Sequence, residues 1–103
     1  MSDEAIYMMN VLWFKPEGGA KRYEEYLAAA GPLVAKHGGQ REGDAFLPES
    51  AMIGEFDADL VFFVRYPSQE AFMAFVSDPA YKEISHLREE AISKSLLVKC
   101  NKR

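Results

Sequence analysis

In three segments of the chain the positions of the apolar residues are typical of strands, and in a fourth they are typical of a helix. Residues 5–14 and 60–66 are apolar on both alternating faces, which is typical of strands buried on both sides. Residues 93–100 predict a closing strand. Between residues 20 and 37, apolar side chains recur at steps of three and four, which predicts a helix that ends at the pair Gly38-Gly39.

The remaining segments contain proline, serine and aspartate at positions that predict turns and helix starts. We expect residues 40–56 to form an irregular hairpin arm, in which strand-like pieces at 41–47 and 51–56 flank Pro48. Ser68 is expected to cap a second helix. Asp78, followed by Pro79, is expected to cap a further helical piece.

These elements follow one another as strand, helix, strand, strand, helix, strand. This order predicts an α+β, ferredoxin-like βαββαβ domain over residues 1–103, with a four-stranded antiparallel sheet and the helices on one face. The strands are apolar on both faces, but the helices can cover only one. We therefore expect the other face to pack against a second copy, which gives a homodimeric α+β barrel.

The charge balance and the single cysteine restrict the partners and the compartment. Twelve basic residues stand against sixteen acidic ones, so we expect no nucleic acid partner. One cysteine allows no internal disulfide and no cysteine-rich metal site, and we expect no metal or cofactor. The acidic first residues are unlike a signal peptide, and no apolar stretch is long enough for a membrane span. We therefore expect a bacterial-type cytoplasmic protein.

Two blocks of the sequence carry a family resemblance. The first is residues 26–39, and the second is residues 64–89, with the motifs Tyr66-Pro67-Ser68 and Asp78-Pro79-Ala80-Tyr81. Together they resemble domain-of-unknown-function family number thirteen-thirty, of the dimeric α+β barrel superfamily, over most of the chain. The resemblance implies a homodimer with facing sheets. It implies no catalytic residue, because the family has no settled activity.

The polar residues within the strand-like segments are the candidate ligand-binding groups. We expect Asn10, Glu55, Arg65 and Lys99 to share the side of the sheet that faces the barrel, with the purely apolar sets facing the helices. A mostly apolar cavity with a few convergent polar groups is the usual small-molecule site. The sequence therefore predicts a ligand site inside the barrel between two subunits.

Each candidate residue has a functional and a structural interpretation. Arg65 either binds a carboxylate or enolate oxygen or forms an ion pair with Glu55, which is then a partner rather than a general base. Asn10 either orients a ligand carbonyl or bonds to neighbouring backbone. His37 either titrates at the site or closes its helix, and His86 belongs either to the site or to an exposed surface.

Two classes of function remain open from the sequence. The first is a non-catalytic homodimer that binds a small apolar or aromatic ligand in the barrel. The second is a cofactor-independent enzyme, monooxygenase-like or isomerase-like, acting on such a molecule, as in proteins of the same fold. A titrating histidine or carboxylate inside a closed cavity would favour the enzyme, whereas a cavity filled by Phe and Leu side chains would favour the non-catalytic protein.

Overall fold

The computed structural model describes residues 5–103, and in this range it has four strands and three helices. The order confirms the ferredoxin-like βαββαβ fold, with the second helix divided into two segments. The elements are β1 (Ile6–Phe14), α1 (Gly19–Lys36), β2 (Gln40–Phe46), β3 (Leu60–Tyr66), α2 (Gln69–Ser77), α3 (Pro79–Ala91) and β4 (Ile92–Cys100).

Local chemistry sets the ends of the helices, as the sequence predicted. The α1 helix ends where Gly38 adopts a φ of 85°, a left-handed conformation that glycine accepts without strain. The Ser68 hydroxyl accepts a hydrogen bond from the Ala71 N–H and caps α2. The Asp78 carboxylate accepts one from the Ala80 N–H and caps α3, so both predicted caps are confirmed.

The four strands form one antiparallel sheet in the order β2-β3-β1-β4. Residues directly opposite each other in an antiparallel pair project to the same face. Asn10 is opposite Phe62, whereas Tyr7 is opposite Arg65. The sheet therefore has a helix side, which carries Asn10, and an open side, which carries Arg65. The open side includes Tyr7, Met9, Val11, Trp13, Glu42, Val61, Phe63, Arg65, Lys94, Leu96, Val98 and Cys100.

This register corrects one expectation about the polar residues of the strands. Lys99 is opposite Met8 and so lies on the helix side with Asn10, while Arg65 lies on the open side. The polar strand residues therefore do not share one face. Alternation along one strand shows which of its residues project to the same face. It does not show which face of a neighbouring strand lies on the same side of the sheet, because that depends on the pairing register.

The helices pack on the helix side of the sheet and form the core with it. Burial of apolar side chains is the main force that holds the two layers together, at roughly 25 cal/mol per Å². Two adjoining clusters of buried residues make up this core. One contains Leu12, Tyr23, Tyr26, Ala30, Phe62 and Ala91, and the other contains Ile6, Met8, Tyr66 and Phe75.

Residues 47–59 form an irregular loop, so the strand expected at 51–56 is wrong. The end of the loop is fixed to β1 by side-chain hydrogen bonds and by a backbone hydrogen bond of 2.8 Å from the Asp59 N–H to the Leu12 carbonyl. Asp57 accepts a hydrogen bond from the Trp13 indole at 2.8 Å, and Asp59 accepts one from the Phe14 N–H at 2.8 Å. The Phe56 ring packs edge-on against Trp13.

The middle of this loop is apolar and exposed. Met52 and Ile53 are 91% and 96% exposed, and Gly54 adopts a φ of 82° next to them. Nothing in residues 5–103 covers these two side chains. No helix in the described part of the chain has the length and apolar character that a membrane span requires.

A candidate ligand-binding cavity under the helices

A cavity of about 500 Å³ lies between the helices and the helix side of the sheet. This volume is in the range of small-molecule sites, which is about 300–1,000 Å³. Most of its wall is apolar or aromatic, including Phe62, Phe72 and Phe75. The polar part of the wall consists of Asn10, Tyr23, Tyr26, Gln40, Arg41, Tyr66, Tyr81, Arg88 and Ser95.

The cavity reaches both edges of the sheet. Arg41, on the edge strand β2, and Leu97, on the edge strand β4, are exposed residues of its wall. The middle of the cavity is walled by buried residues such as Tyr23, Tyr26 and Phe75. A small molecule can therefore enter from an edge and reach a largely apolar interior.

Four tyrosines line the cavity, and burial raises the pKa of three of them. The hydroxyl oxygens of Tyr26 and Tyr81 lie 2.9 Å apart and share a hydrogen bond. Burial raises the pKa of Tyr23 to about 12 and that of Tyr66 to about 12. Burial and the hydrogen bond to Tyr81 raise the pKa of Tyr26 still further above its ordinary value. At neutral pH these groups are hydrogen-bond donors.

Two arginines belong to the wall of the same cavity. The Arg41 guanidinium lies over the Phe62 ring, 4.6 Å from the ring centroid. Arg88 projects from α3 and is half-buried. The charges of both guanidinium groups oppose the rise that burial causes in the pKa of Tyr23.

Asn10 lies on the helix side of β1 and faces the cavity. Its amide nitrogen donates a hydrogen bond of 3.2 Å to the Met8 carbonyl, as the structural interpretation expected. The same side chain is part of the cavity wall. Its role as a ligand-binding group stays a prediction, now for a cavity within one chain and not for the barrel.

Arg65 and Glu55 do not meet each other or Asn10. Arg65 is half-buried on the open side, near Lys102, whereas Glu55 is exposed in the loop 47–59. Within residues 5–103, no ion pair joins Arg65 to Glu55. The expected convergence of the three residues is therefore wrong. The reason is that Glu55 is not in a strand and Arg65 is on the opposite face from Asn10.

The two histidines lie outside the cavity wall. His37 Nε2 is 2.9 Å from Asp78 Oδ2, and Lys36 Nζ is 3.0 Å from the same oxygen. Hydrogen bonds from His37, the Ala80 N–H and Lys36 hold the pKa of Asp78 well below its usual range. Asp78 therefore joins the end of α1 to the start of α3. His86 is exposed on α3.

No group of three histidine, cysteine or acidic side chains in residues 5–103 is arranged to hold a metal ion. The polar groups of the cavity wall are phenols, guanidinium groups, amides and one hydroxyl. These groups bind organic molecules through hydrogen bonds and are poor ligands for divalent cations.

Sequence reasoning missed the two arginines and the tyrosines as site residues. Tyr23, Tyr81 and Arg88 recur with apolar residues at helical spacing, a position that is typical of core packing. The positive charge of Arg88 on an apolar stripe is the signal that could indicate a site residue, because a charge at such a position needs a partner or a ligand. Arg41 gave no such signal, because its position depends on how β2 pairs with β3.

The sequence profile of the family described as "Domain of unknown function (DUF1330)" matches residues 18–99. No curated protein matches the chain. A protein of unknown function from Rhodopseudomonas palustris is similar in structure, with 29% identity and a TM-score of 0.88. The alignment covers 96% of this chain and 82% of that one.

More distant structures share the fold. A dimeric ferredoxin-like protein of unknown function from Jannaschia sp. has 16% identity and a TM-score of 0.75, over 94% of this chain and 98% of that one. A hydroxynitrile lyase from Passiflora edulis has 14% identity and a TM-score of 0.74, over 96% of this chain and 94% of that one. At these identities the likeness shows the fold alone.

Proposed function

The chain belongs to the DUF1330 family of domains of unknown function, and we propose that it is a single-domain cytoplasmic homodimer that binds a small aromatic molecule. The binding site is the cavity between the helices and the sheet of each subunit. The observation that carries this proposal is the cavity of about 500 Å³ in the middle of the core, lined by aromatic rings and phenol donors.

The cavity leaves apolar side chains of the core without packing contacts on one side. Water that enters from the edges of the sheet does not replace these contacts, because apolar surface is more stable when it is buried, at roughly 25 cal/mol per Å². The aromatic rings at the wall, such as Phe62, Phe72 and Tyr23, present flat surfaces that suit an aromatic guest. A bound molecule restores the missing contacts, which is the physical reason to keep the space.

The polar groups of the wall fix the orientation of the guest. Tyr26 and Tyr81 share one hydroxyl proton between them, so the other proton of the pair is available to an acceptor on the guest. The Asn10 amide faces the cavity from the sheet. A guest with an apolar ring and one oxygen acceptor satisfies both parts of the site.

A binding measurement with naphthol tests this proposal. We expect titration calorimetry to show binding to the wild-type protein, and Ala30→Leu to abolish it, since Ala30 is buried and belongs to the cavity wall. Ala28→Leu is the matched control, because Ala28 is exposed on the same helix. Absence of binding to the wild type, or equal loss in both variants, would contradict the proposal.

The homodimer rests on the open side of the sheet. This side carries the apolar side chains Met9 and Phe63, and the exposed Leu96 and Val98 on its edge strand. Solved structures of this fold include a dimeric protein. A second copy that faces this sheet buries the apolar surface and leaves the cavities on the two outer layers free.

Catalysis without a cofactor is the second candidate, and the Tyr26–Tyr81 pair favours it. Two linked phenols in an apolar cavity can donate hydrogen bonds to the oxygen of an enolate that forms when water removes the α-proton of a bound ketone, and water returns a proton to the carbon. The Passiflora edulis lyase has the same fold, so the fold is compatible with catalysis. Mass spectrometry of aromatic ketones incubated with the protein in D₂O tests this candidate through the deuterium gained at the α-carbon, and Tyr81→Phe should remove this exchange.

A further inference from the structure

We propose that the molecule bound in the cavity carries a carboxylate, and that Arg41 and Arg88 bind this group. This inference rests on the proposed binding function and adds the charge of the ligand to it. The wall of the cavity contains two guanidinium groups and, among the described residues, no aspartate or glutamate. The cavity is therefore positively charged inside a protein whose formal net charge is −4.

Neither guanidinium group is neutralised by the protein in residues 5–103. The ion pairs of this range involve Arg22, Lys36, His37 and Lys102, and none involves Arg41 or Arg88. The Arg41 guanidinium contacts the face of the Phe62 ring. Arg41 is exposed and Arg88 is half-buried, so both charges can act on an anion that enters the cavity, and the anion gains free energy from both groups.

The two arginines line the same cavity, and both act electrostatically on Tyr23. Both lower the pKa of Tyr23 against the effect of its burial, so both lie within electrostatic range of its oxygen. Arg41 comes from the edge strand β2 and Arg88 from α3, so they approach from the sheet layer and the helix layer. An anionic group bound beside Tyr23 is held from the two layers at once.

The donors select the chemical class of the anion. A guanidinium group offers two parallel N–H donors that match the two oxygens of a carboxylate. The phenol of Tyr23 is protonated at neutral pH and adds a further donor. Most of the rest of the wall is aromatic or aliphatic and takes an apolar body. The ligand class that fits all these features is an aromatic carboxylate.

Two probes of the same shape test this inference on the wild-type protein. Naphthoate and naphthamide share the ring system and differ in the charge of the polar group. We expect naphthoate to bind at least about tenfold more tightly by titration calorimetry, because charge-assisted hydrogen bonds are roughly twice as strong as neutral ones. Added salt should reduce this difference, since screening weakens the attraction.

Variants then assign the effect to the two arginines. Arg88→Met and Arg41→Met should each bring the affinity for naphthoate close to that for naphthamide. Lys82→Met is the matched control, because Lys82 is exposed on the same helix as Arg88 and does not belong to the cavity wall. This control should keep the full preference for naphthoate.

The outcomes separate this inference from the proposed function. Equal binding of naphthoate and naphthamide to the wild type would overturn the carboxylate inference and leave the binding function intact. A preference that survives in both arginine variants, or disappears in Lys82→Met, would also overturn it. Failure of naphthol, naphthoate and naphthamide to bind would overturn the binding function together with this inference. The wild-type comparison holds even if an arginine variant does not fold.

Discussion

The hydroxyl groups of Tyr26 and Tyr81 lie 2.9 Å apart and join α1 to α3 across the top of the cavity. The two rings meet edge-on, with centroids 6.2 Å apart. This pair is at once part of the packing between the helices and part of the wall that a ligand would touch. Stability and binding should therefore respond together when it is changed.

Removal of either hydroxyl of this pair should destabilise the protein. Tyr26→Phe leaves the Tyr81 hydroxyl without its partner, and we expect a loss of about 1 kcal/mol in the free energy of unfolding. Tyr81→Phe should lower the free energy of unfolding by a similar amount, and the double variant should lower it by less than the sum of the two single losses. Urea denaturation of the three variants measures this. Additive losses would mean that the two hydroxyls do not bond in solution.

Acidification should remove the stabilisation that Asp78 provides. Its folded-state pKa is held below the ordinary value, so the contribution is present above the unfolded-state pKa, near ~3.9, and is lost as the pH falls below it. We expect Asp78→Asn to be less stable than the wild type at neutral pH, with a difference that shrinks in acid. Asp44→Asn, at an exposed position of β2, is the control. A difference independent of pH would contradict this assignment.

A charge on the open side of the sheet should separate the subunits. The wild type is expected to sediment at twice 11.6 kDa at micromolar concentration. Phe63→Asp places an unpaired carboxylate in the apolar interface and should give the mass of the monomer. Met73→Asp changes an exposed residue of α2 and should leave the dimer intact. A monomeric wild type would refute the barrel arrangement.

Arg65 and Glu55 should contribute to stability independently. Because they lie on separate parts of the structure, Arg65→Met and Glu55→Gln should have effects on thermal unfolding that add in the double variant. Strong coupling between the two substitutions in thermal melts would show that loop 47–59 brings Glu55 to the open side in solution.

Gly39 in the cavity wall should not accept a larger residue. A Cβ at Gly39 would lie 2.6 Å from Val34 Cγ1 and 2.7 Å from Tyr66 Cε2, so Gly39→Ala should cost about 1–3 kcal/mol in the free energy of unfolding through overpacking. Chemical denaturation measures this cost, and an unchanged or increased stability would contradict the packing around Gly39.

Sequence reasoning succeeded where the cause of a feature is local. Ser68 and Asp78 cap their helices through hydrogen bonds within three residues, and Gly38 ends α1 through its own backbone conformation. The order of elements and the ferredoxin-like fold follow from such local signals and from apolar periodicity. These features required no knowledge of which strands pair.

The candidate site depended on relations between distant segments, and there the sequence was insufficient. Asn10 and Arg65 are both polar residues in apolar strands, but their faces depend on the register of β1 with β3. Arg41 reaches the cavity only because β2 pairs with the outer edge of β3. Tyr23 and Arg88 were visible on their helical stripes. Their meeting around one cavity depends on how α1 and α3 pack.

The placement of aromatic side chains on the two sides of the sheet gives the protein two separate optical signals. Its single tryptophan, Trp13, lies on the open side beside Phe56. Indole fluorescence therefore responds to events at the face where two chains would meet. Phenol absorbance responds to the cavity, because four of the five tyrosines line it. Assembly and ligand entry can thus be followed in one unlabelled sample, each through its own chromophore.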